Sequence, residues 1–310
     1  VDAIRTEGLS RSFGAVAAVD RLDLSVAEGE IFGLVGPDGA GKTTVLRLLA
    51  AILDPTGGEA WVAGRSVRSD AAGVHESIGY MSQRFGLYAD LTVDENVAFY
   101  ADLFGVPRRG REGKVAALLD FSGLLPFRRR LAGALSGGMK QKLGLACTLV
   151  HTPKVLLLDE PTNGVDPVSR RDFWRILDRL LAEGVTILAT TAYMDEAERF
   201  GRLGLLHEGR LLAVGTPDEV KGLFPGKVLE VRCPDPRAAR PLLAAALPAD
   251  TVGLFGDRLH LASRDPARSS ETARRVLSAA GIPFEAIDEV APSLEDVFVA
   301  VLSPGGEERR

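Results

Sequence analysis

Gly36-Pro37-Asp38-Gly39-Ala40-Gly41-Lys42-Thr43-Thr44 is the stretch whose reading decides the fold of this chain. It fits G-x-x-x-x-G-K-[ST], a phosphate-binding loop. Before it runs Ile31-Phe32-Gly33-Leu34-Val35, apolar enough for a buried parallel strand. After it Val45, Leu46, Leu48, Leu49, Ile52 and Leu53 recur at helical spacing and stop before Asp54-Pro55. Strand, glycine loop and helix are the context the motif needs. Glycines let backbone N–H groups close around phosphate oxygens, and the helix N-terminus adds partial positive charge. Lys42 is expected to reach the β- and γ-phosphates, and Thr43 to place its hydroxyl on Mg²⁺.

A second strand carries the acid groups. Val155-Leu156-Leu157-Leu158 runs straight into Asp159-Glu160-Pro161. In open α/β sheets, ligands sit beyond the carboxyl ends of the strands. That predicts Asp159 as a Mg²⁺ ligand, direct or through water, since Mg²⁺ takes hard oxygens and few protein contacts. Glu160 is predicted to orient and deprotonate a water attacking the γ-phosphate. Alone, an Asp-Glu pair would read as a solvated strand end; the phosphate loop in the same chain changes that reading.

Leu135-Ser136-Gly137-Gly138-Met139 opens a third element. Ser136 is a good N-cap for a helix running to Thr152-Pro153, so a serine and two glycines form a second anion-binding helix end. Between these motifs, residues 92–134 hold few β-branched residues and read as a two-helix insertion. Its Arg108, Arg109, Arg111 and Arg128, Arg129, Arg130 read first as a solvated face.

Toward the N-terminus, Ala3 to Ser10 and Leu22 to Val26 read as strands, with Arg11 to Gly14 as a turn. Phe13 in that turn reads either as core or as a platform for an adenine base. Thr56 to Glu59 is expected to be a turn, and Ile78 to Ser82 a strand ending at Gln83. Asp166-Pro167 should start a helix to Glu183. A boundary is expected near Gly222-Leu223-Phe224-Pro225-Gly226, giving domains 1–224 and 225–302 and a disordered tail, 303–310. The second domain reads as βαββαβ, the ferredoxin-like order.

Bulk properties agree with this division. The chain has 310 residues, 46% of them hydrophobic, which is enough for a core. A net charge of −5 argues against a broad nucleic-acid surface. Cys147 and Cys233 are too far apart in sequence for a metal-binding pattern. No apolar run reaches the ~18 residues of a membrane span, and no leader-like segment opens the chain. A cytoplasmic location is the expectation.

Together these motifs resemble the ATP-binding subunit of ABC transporters, across residues 1–224 and in the family's order. Gly36–Thr44 resembles Walker A, and Val155–Glu160 resembles Walker B with its catalytic glutamate. Leu135–Gln141 is similar to the LSGGQ signature, with Met139 where glutamine is usual. Gln83 resembles the Q-loop glutamine that touches Mg²⁺ and the attacking water. Asn163 to Asp166 resembles the D-loop, and Phe13 the aromatic residue that stacks on adenine. Ala291 to Phe298 is similar to the end of a narrower branch serving bacterial drug, antibiotic and sodium exporters.

The resemblance implies an α/β P-loop ATPase with β- and helical subdomains. It implies ATP and Mg²⁺ as cofactors, and a homodimer or paired nucleotide-binding domain. It also implies a separate membrane permease that holds the protein at the inner membrane face. Each ATP would lie between one chain's Walker A and the other's Ser136–Gly138. One position departs from the family. The switch histidine is replaced by Ala192, and none of His75, His151, His207 or His260 stands there. Loss of one transition-state contact costs on the order of 2.7–4 kcal/mol. A hydrolysis-poor regulator, or an ABC ATPase acting on ribosomes or DNA, are the alternatives.

Overall fold

The computed structural model describes residues 1–84, 86–247 and 251–302. The tail expected to be disordered, 303–310, lies outside the described residues. The chain divides into two compact units, Val1–Val214 and Gly215 onward.

The first unit begins with a long hairpin, β1 (Asp2–Phe13) and β2 (Val16–Ala27), followed by β3 (Ile31–Val35) and α1 (Lys42–Leu49). Next come β4 (Gly57–Val62), β5 (Arg65–Ser66), α2 (Ala71–Ser77) and β6 (Ile78–Met81). The helical lobe holds α3 (Val93–Leu103), α4 (Arg111–Phe121) and the start of α5 (Gly137–Leu149). Then follow β7 (Val155–Asp159), α6 (Pro167–Ala182), β8 (Thr186–Thr191), α7 (Met194–Ala197), β9 (Arg202–His207) and β10 (Arg210–Gly215).

Two sheets share one core. The antiparallel sheet runs β2-β1-β4-β5, and the larger sheet runs β10-β9-β3-β8-β7-β6. Within the larger sheet β3 pairs in parallel with β8 and β9, and β7 with β6 and β8. Every residue of β3, β7 and β8 is buried, as expected of strands covered on both faces. Ile4, Leu22, Leu34, Leu46, Leu157 and Leu188 belong to one apolar cluster that ties both sheets to α1. The lobe has its own cluster, with Val97 of α3, Leu119 of α4 and Leu143 and Cys147 of α5. Thr92 starts α3 with a reciprocal cap: it accepts from the Glu95 N–H, and Glu95 accepts from the Thr92 N–H.

Three local readings need correction. Arg11 to Phe13 are strand, not turn: β1 continues to Phe13 opposite Val16, through several register shifts. The small and polar residues there lie on a two-stranded extension, whose pairing no local pattern reveals. Gly57 to Glu59 likewise belong to β4, with Glu59 opposite Glu7. Helix α1 stops at Leu49 because Ala51 takes φ 52°, and the Ile52 and Leu53 N–H groups both fold back to the Arg47 carbonyl. The short α2 and β5 have no counterpart in the sequence reading.

The second unit contains α8 (Pro217–Gly222), β11 (Lys227–Arg232), α9 (Pro236–Ala246) and β12 (Thr251–Phe255). It continues with β13 (Arg258–Ser263), α10 (Pro266–Ala279), β14 (Ala286–Val290) and α11 (Leu294–Leu302). Its sheet, β12-β13-β11-β14, is antiparallel at all three pairings. Val231, Leu243, Leu259, Leu261 and Leu277 fill its core.

Candidate functional site

Strand β3 lies between β9 and β8, so the loop after Val35 leaves from the middle of the larger sheet. Gly41 caps α1 with φ 105°, and a Cβ there would stand 2.3 Å from the Ala18 carbonyl oxygen. Only glycine meets both demands. Gly36 and Ala40 are buried, Pro37 is half-buried, and Asp38 and Gly39 are exposed. Thr43 and Thr44 follow Lys42 in the first turn of α1. The Lys42 side chain is only 4% exposed; its Nζ donates to the carbonyls of Gly36 at 2.8 Å and Pro37 at 3.0 Å. An ammonium folded back over its own loop in this way points its charge into the ring of backbone that anion binding uses.

Strand β7 delivers the two carboxylates beside that loop. Asp159 is 1% exposed. Thr43 Oγ1 donates to Asp159 Oδ1 at 3.1 Å, and Thr190 Oγ1 donates to the same oxygen at 3.0 Å. Burial pushes the Asp159 carboxyl above its ordinary value, against the pull of these two hydroxyls. Glu160, the next residue, turns sharply: its φ is +47°, a left-handed conformation that costs a side-chain residue about 1–3 kcal/mol. Its N–H donates to Thr190 Oγ1 at 3.0 Å. Its Oε1 pairs with Lys42 Nζ at 3.1 Å, and its Oε2 accepts from Gln83 Nε2 at 2.9 Å and from Asn163 Nδ2 at 3.1 Å.

Five residues singled out in the sequence thus meet in one linked group: Lys42, Thr43, Gln83, Asp159 and Glu160. Thr190 and Asn163 complete it; Asn163 was named only within the D-loop resemblance, with no link to Glu160, and Thr190 was missed. The signal for Thr190 was the β7–β8 register, which sets it directly opposite Asp159, and register is not readable from one strand. Thr43 and Asp159, hydrogen-bonded to each other, offer sparse hard oxygens of the kind that suits Mg²⁺, and Gln83, joined to the same linked group through Glu160, carries a further amide oxygen that could serve. Among the described residues no cluster of three or more His, Cys, Asp and Glu suits a more tightly held metal.

The remaining predicted residues lie outside this hydrogen-bonded group. Phe13 is 47% exposed at the hairpin tip, with the Arg11 guanidinium 4.7 Å from its ring centroid. Ser136 caps α5 by accepting from the Met139 N–H, and it is exposed together with Gly137. Leu135 is buried, and Met139 packs against the lobe core. Gly138 is buried, and a Cβ there would stand 2.3 Å from Ser169 Cβ on α6. Asp166 caps α6, accepting from the Val168 N–H at 3.1 Å and the Ser169 N–H at 3.0 Å; bonds from Ser169 hold its carboxyl below the ordinary value.

Ala192 follows β8 and is half-buried. Beyond it, Tyr193 OH donates to Asn163 Oδ1 at 3.3 Å. Behind both stands Glu196, 2% exposed, which accepts from Thr162 Oγ1 and, at 2.8 Å, from Thr191 Oγ1.

The ABC transporter family model matches residues 19–163. The probable multidrug ABC transporter ATP-binding protein YbhF of Escherichia coli is 44% identical over 98% of this chain, and the chain spans 53% of that relative's length. The daunorubicin/doxorubicin resistance ATP-binding protein DrrA of Streptomyces peucetius is 36% identical, over 99% of this chain and 94% of its own. The Nod factor export ATP-binding protein I of Ralstonia nicotianae is 37% identical, over 96% and 92%. Among solved structures, CbiO1 of Clostridium perfringens, part of the ABC transporter complex CbiONQ, superposes with a TM-score of 0.66 at 27% identity. That match covers 72% of this chain and 91% of CbiO1. MJ1267 in its ADP conformation, an ATP-binding cassette of an ABC transporter, gives 0.64 at 26% identity, covering 71% and 92%. The chain belongs to the ABC transporter family, as an ATP-binding protein of the branch that holds the drug-resistance and antibiotic exporters.

Proposed function

We propose that this chain binds and hydrolyses ATP to power a membrane exporter, working as one of a pair of nucleotide-binding domains. The observation that carries the reading is Glu160. Its carboxylate is held between Lys42 of the phosphate loop and Gln83, one residue after a buried aspartate bonded to Thr43. A carboxylate fixed in that position can orient a water and take its proton. Lys42 exchanges its loop carbonyls for phosphate oxygens. Phosphoryl transfer needs little more from a protein than position and charge. When bound, Mg²⁺ neutralises phosphate charge, and Thr43, Asp159 and Gln83 are the residues that would hold it.

Phe13, exposed at its hairpin tip, offers a face for adenine, and Gly36–Thr44 wraps the phosphates. Ser136, Gly137, Gly138 and the neighbouring Leu135 and Met139 supply the far side of the partner's nucleotide, with Asp166 at the same junction. The exposed Ser136-Gly137 helix start supports that assignment, since it presents backbone donors outward. A separate permease, contacted through the 92–134 lobe, would hold the subunit at the inner face of the membrane. Among the described residues no helix is long and apolar enough to cross a membrane. The relatives named for drug resistance and Nod factor export support an exported cargo.

The test is Glu160→Gln with Mg-ATP. Turnover should fall at least 100-fold, the scale of a lost general base, while a stable dimer accumulates in size-exclusion chromatography with light scattering. Undiminished turnover, or a persistent folded monomer at saturating ATP, would remove the base or the paired-domain reading respectively.

A further inference from the structure

Glu160 is also reached by a chain of side chains that starts just beyond the end of β8. Asn163 Nδ2 donates to Glu160 Oε2 at 3.1 Å, and Tyr193 OH donates to Asn163 Oδ1 at 3.3 Å. An amide that accepts at its oxygen and donates from its nitrogen has a fixed orientation, so the tyrosine hydroxyl decides which face Asn163 turns to the carboxylate. Both links are themselves held from behind. The two oxygens of the buried Glu196 carboxylate bind Thr162 and Thr191, and Thr191 Oγ1 also accepts the Tyr193 N–H at 3.0 Å. One carboxylate therefore ties together the residue before Asn163 and the strand end before Tyr193. Arg170 completes the frame: its Nε is 3.4 Å from Glu196, and its guanidinium carbon lies 4.9 Å from the Tyr193 ring centroid. The ring is thus held by its face, leaving the hydroxyl to its hydrogen bond.

We propose that Tyr193 is a positioning residue for Glu160, acting through Asn163 and locked in place by the Glu196–Arg170 clamp. The inference rests on the reading of Glu160 as the carboxylate that serves the attacking water. It explains how this chain steadies that carboxylate although Ala192 brings no polar side chain to the end of β8. Gln83 and Lys42 fix Glu160 from the side of the phosphate loop; Tyr193 and Asn163 fix it from the β8 side.

The experiment compares the full chain with Tyr193→Phe, Asn163→Ala, the double variant and Glu160→Gln. Phenylalanine keeps the ring that Arg170 covers and removes only the hydroxyl, at a residue that is 40% exposed. Tyr193→Phe should lower kcat for ATP roughly 3–10-fold, the scale of one hydrogen bond, with KM unchanged within about twofold. The double variant should be no slower than Asn163→Ala alone, because both changes cut one chain. In the nucleotide-free protein, the Asn163 side-chain amide NMR signals, assigned by their loss in Asn163→Ala, should move in Tyr193→Phe. An unchanged kcat, losses that multiply, or unmoved amide signals would overturn the proposal. Full turnover in Glu160→Gln that still binds ATP would instead overturn the general-base reading, so the two failures are distinguishable.

Discussion

Lys42, Asp159 and Thr190 show how far single side chains carry the chemistry. Lys42 holds three partners at once, two carbonyls and Glu160, in a nearly dry site. Lys42→Ala is expected to weaken ATP binding by about 10–100-fold, matching a charge-assisted hydrogen bond of roughly 1.5–3 kcal/mol; isothermal titration calorimetry measures this directly. Thr190 serves two masters, donating to Asp159 and accepting from the Glu160 N–H. Thr190→Val keeps the shape, strands the Glu160 N–H and leaves Asp159 Oδ1 with Thr43 alone, so urea unfolding should show a loss of about 1–3 kcal/mol. If stability stays within error, Thr190 does not support the strained Glu160 backbone.

At the scale of elements, the start of α5 separates what packing requires from what a ligand requires. Gly138 faces Ser169 across the α5–α6 contact, and no Cβ fits there without moving one helix. Gly137 meets nothing closer than the Gly164 carbonyl oxygen at 3.8 Å. Gly138→Ala should therefore cost about 1–3 kcal/mol of stability through overpacking. Gly137→Ala should leave the thermal midpoint almost unchanged and act only on the ATP-dependent dimer. Equal destabilisation by both changes would mean that Gly137 is also a packing glycine.

Within the second unit, α11 is held to the sheet by an ion pair. His260 on β13 lies 3.0 Å from Asp296 on α11, with Glu230 of β11 at 3.8 Å from its other nitrogen and the Phe255 ring stacked on it. The hydrogen bond to Asp296 raises the imidazole above its ordinary value. Burial pushes Asp296 up, but bonds from His260 and Ser293 outweigh it and leave that carboxyl below its ordinary value. A raised histidine contributes fully below about pH 6.5, and its contribution is lost as pH rises through the folded value. A lowered aspartate contributes above about pH 4, and its contribution is lost as pH falls through the folded value. This unit should be firmest in urea between those limits and weaken as pH rises through the raised imidazole value. His260→Gln should abolish the alkaline loss; the same slope in that variant would assign it to other groups.

How much of this was legible depends on the range of the physics involved. The phosphate loop, the acid pair after β7, the Ser136 cap and the βαββαβ order of the second unit are local patterns of period, turn chemistry and capping, and those are written in neighbouring residues. The hairpin extension through Phe13, the strand role of Gly57 to Glu59 and the early end of α1 depend on pairing partners and backbone angles set elsewhere. Thr190 and Tyr193 escaped notice for the same reason, and Asn163 was named only within the D-loop resemblance. A threonine ending a strand has no meaning until the register puts it opposite Asp159, and Tyr193 lies 30 residues from the amide it orients.

The sequence by itself determined that this chain holds nucleotide phosphates, because a glycine loop between a buried strand and a helix can place its N–H groups in few other ways. It also determined which two carboxylates follow the neighbouring strand. Only the tertiary structure decided that Lys42 and Gln83 converge on one of those carboxylates, that Thr43 and Thr190 converge on the other, and that Asn163 and Tyr193 reach the site from behind. Those contacts join residues as distant in sequence as Lys42 and Glu160. Their hydrogen bonds exist only once parallel pairing has brought the ends of β3, β7 and β8 side by side.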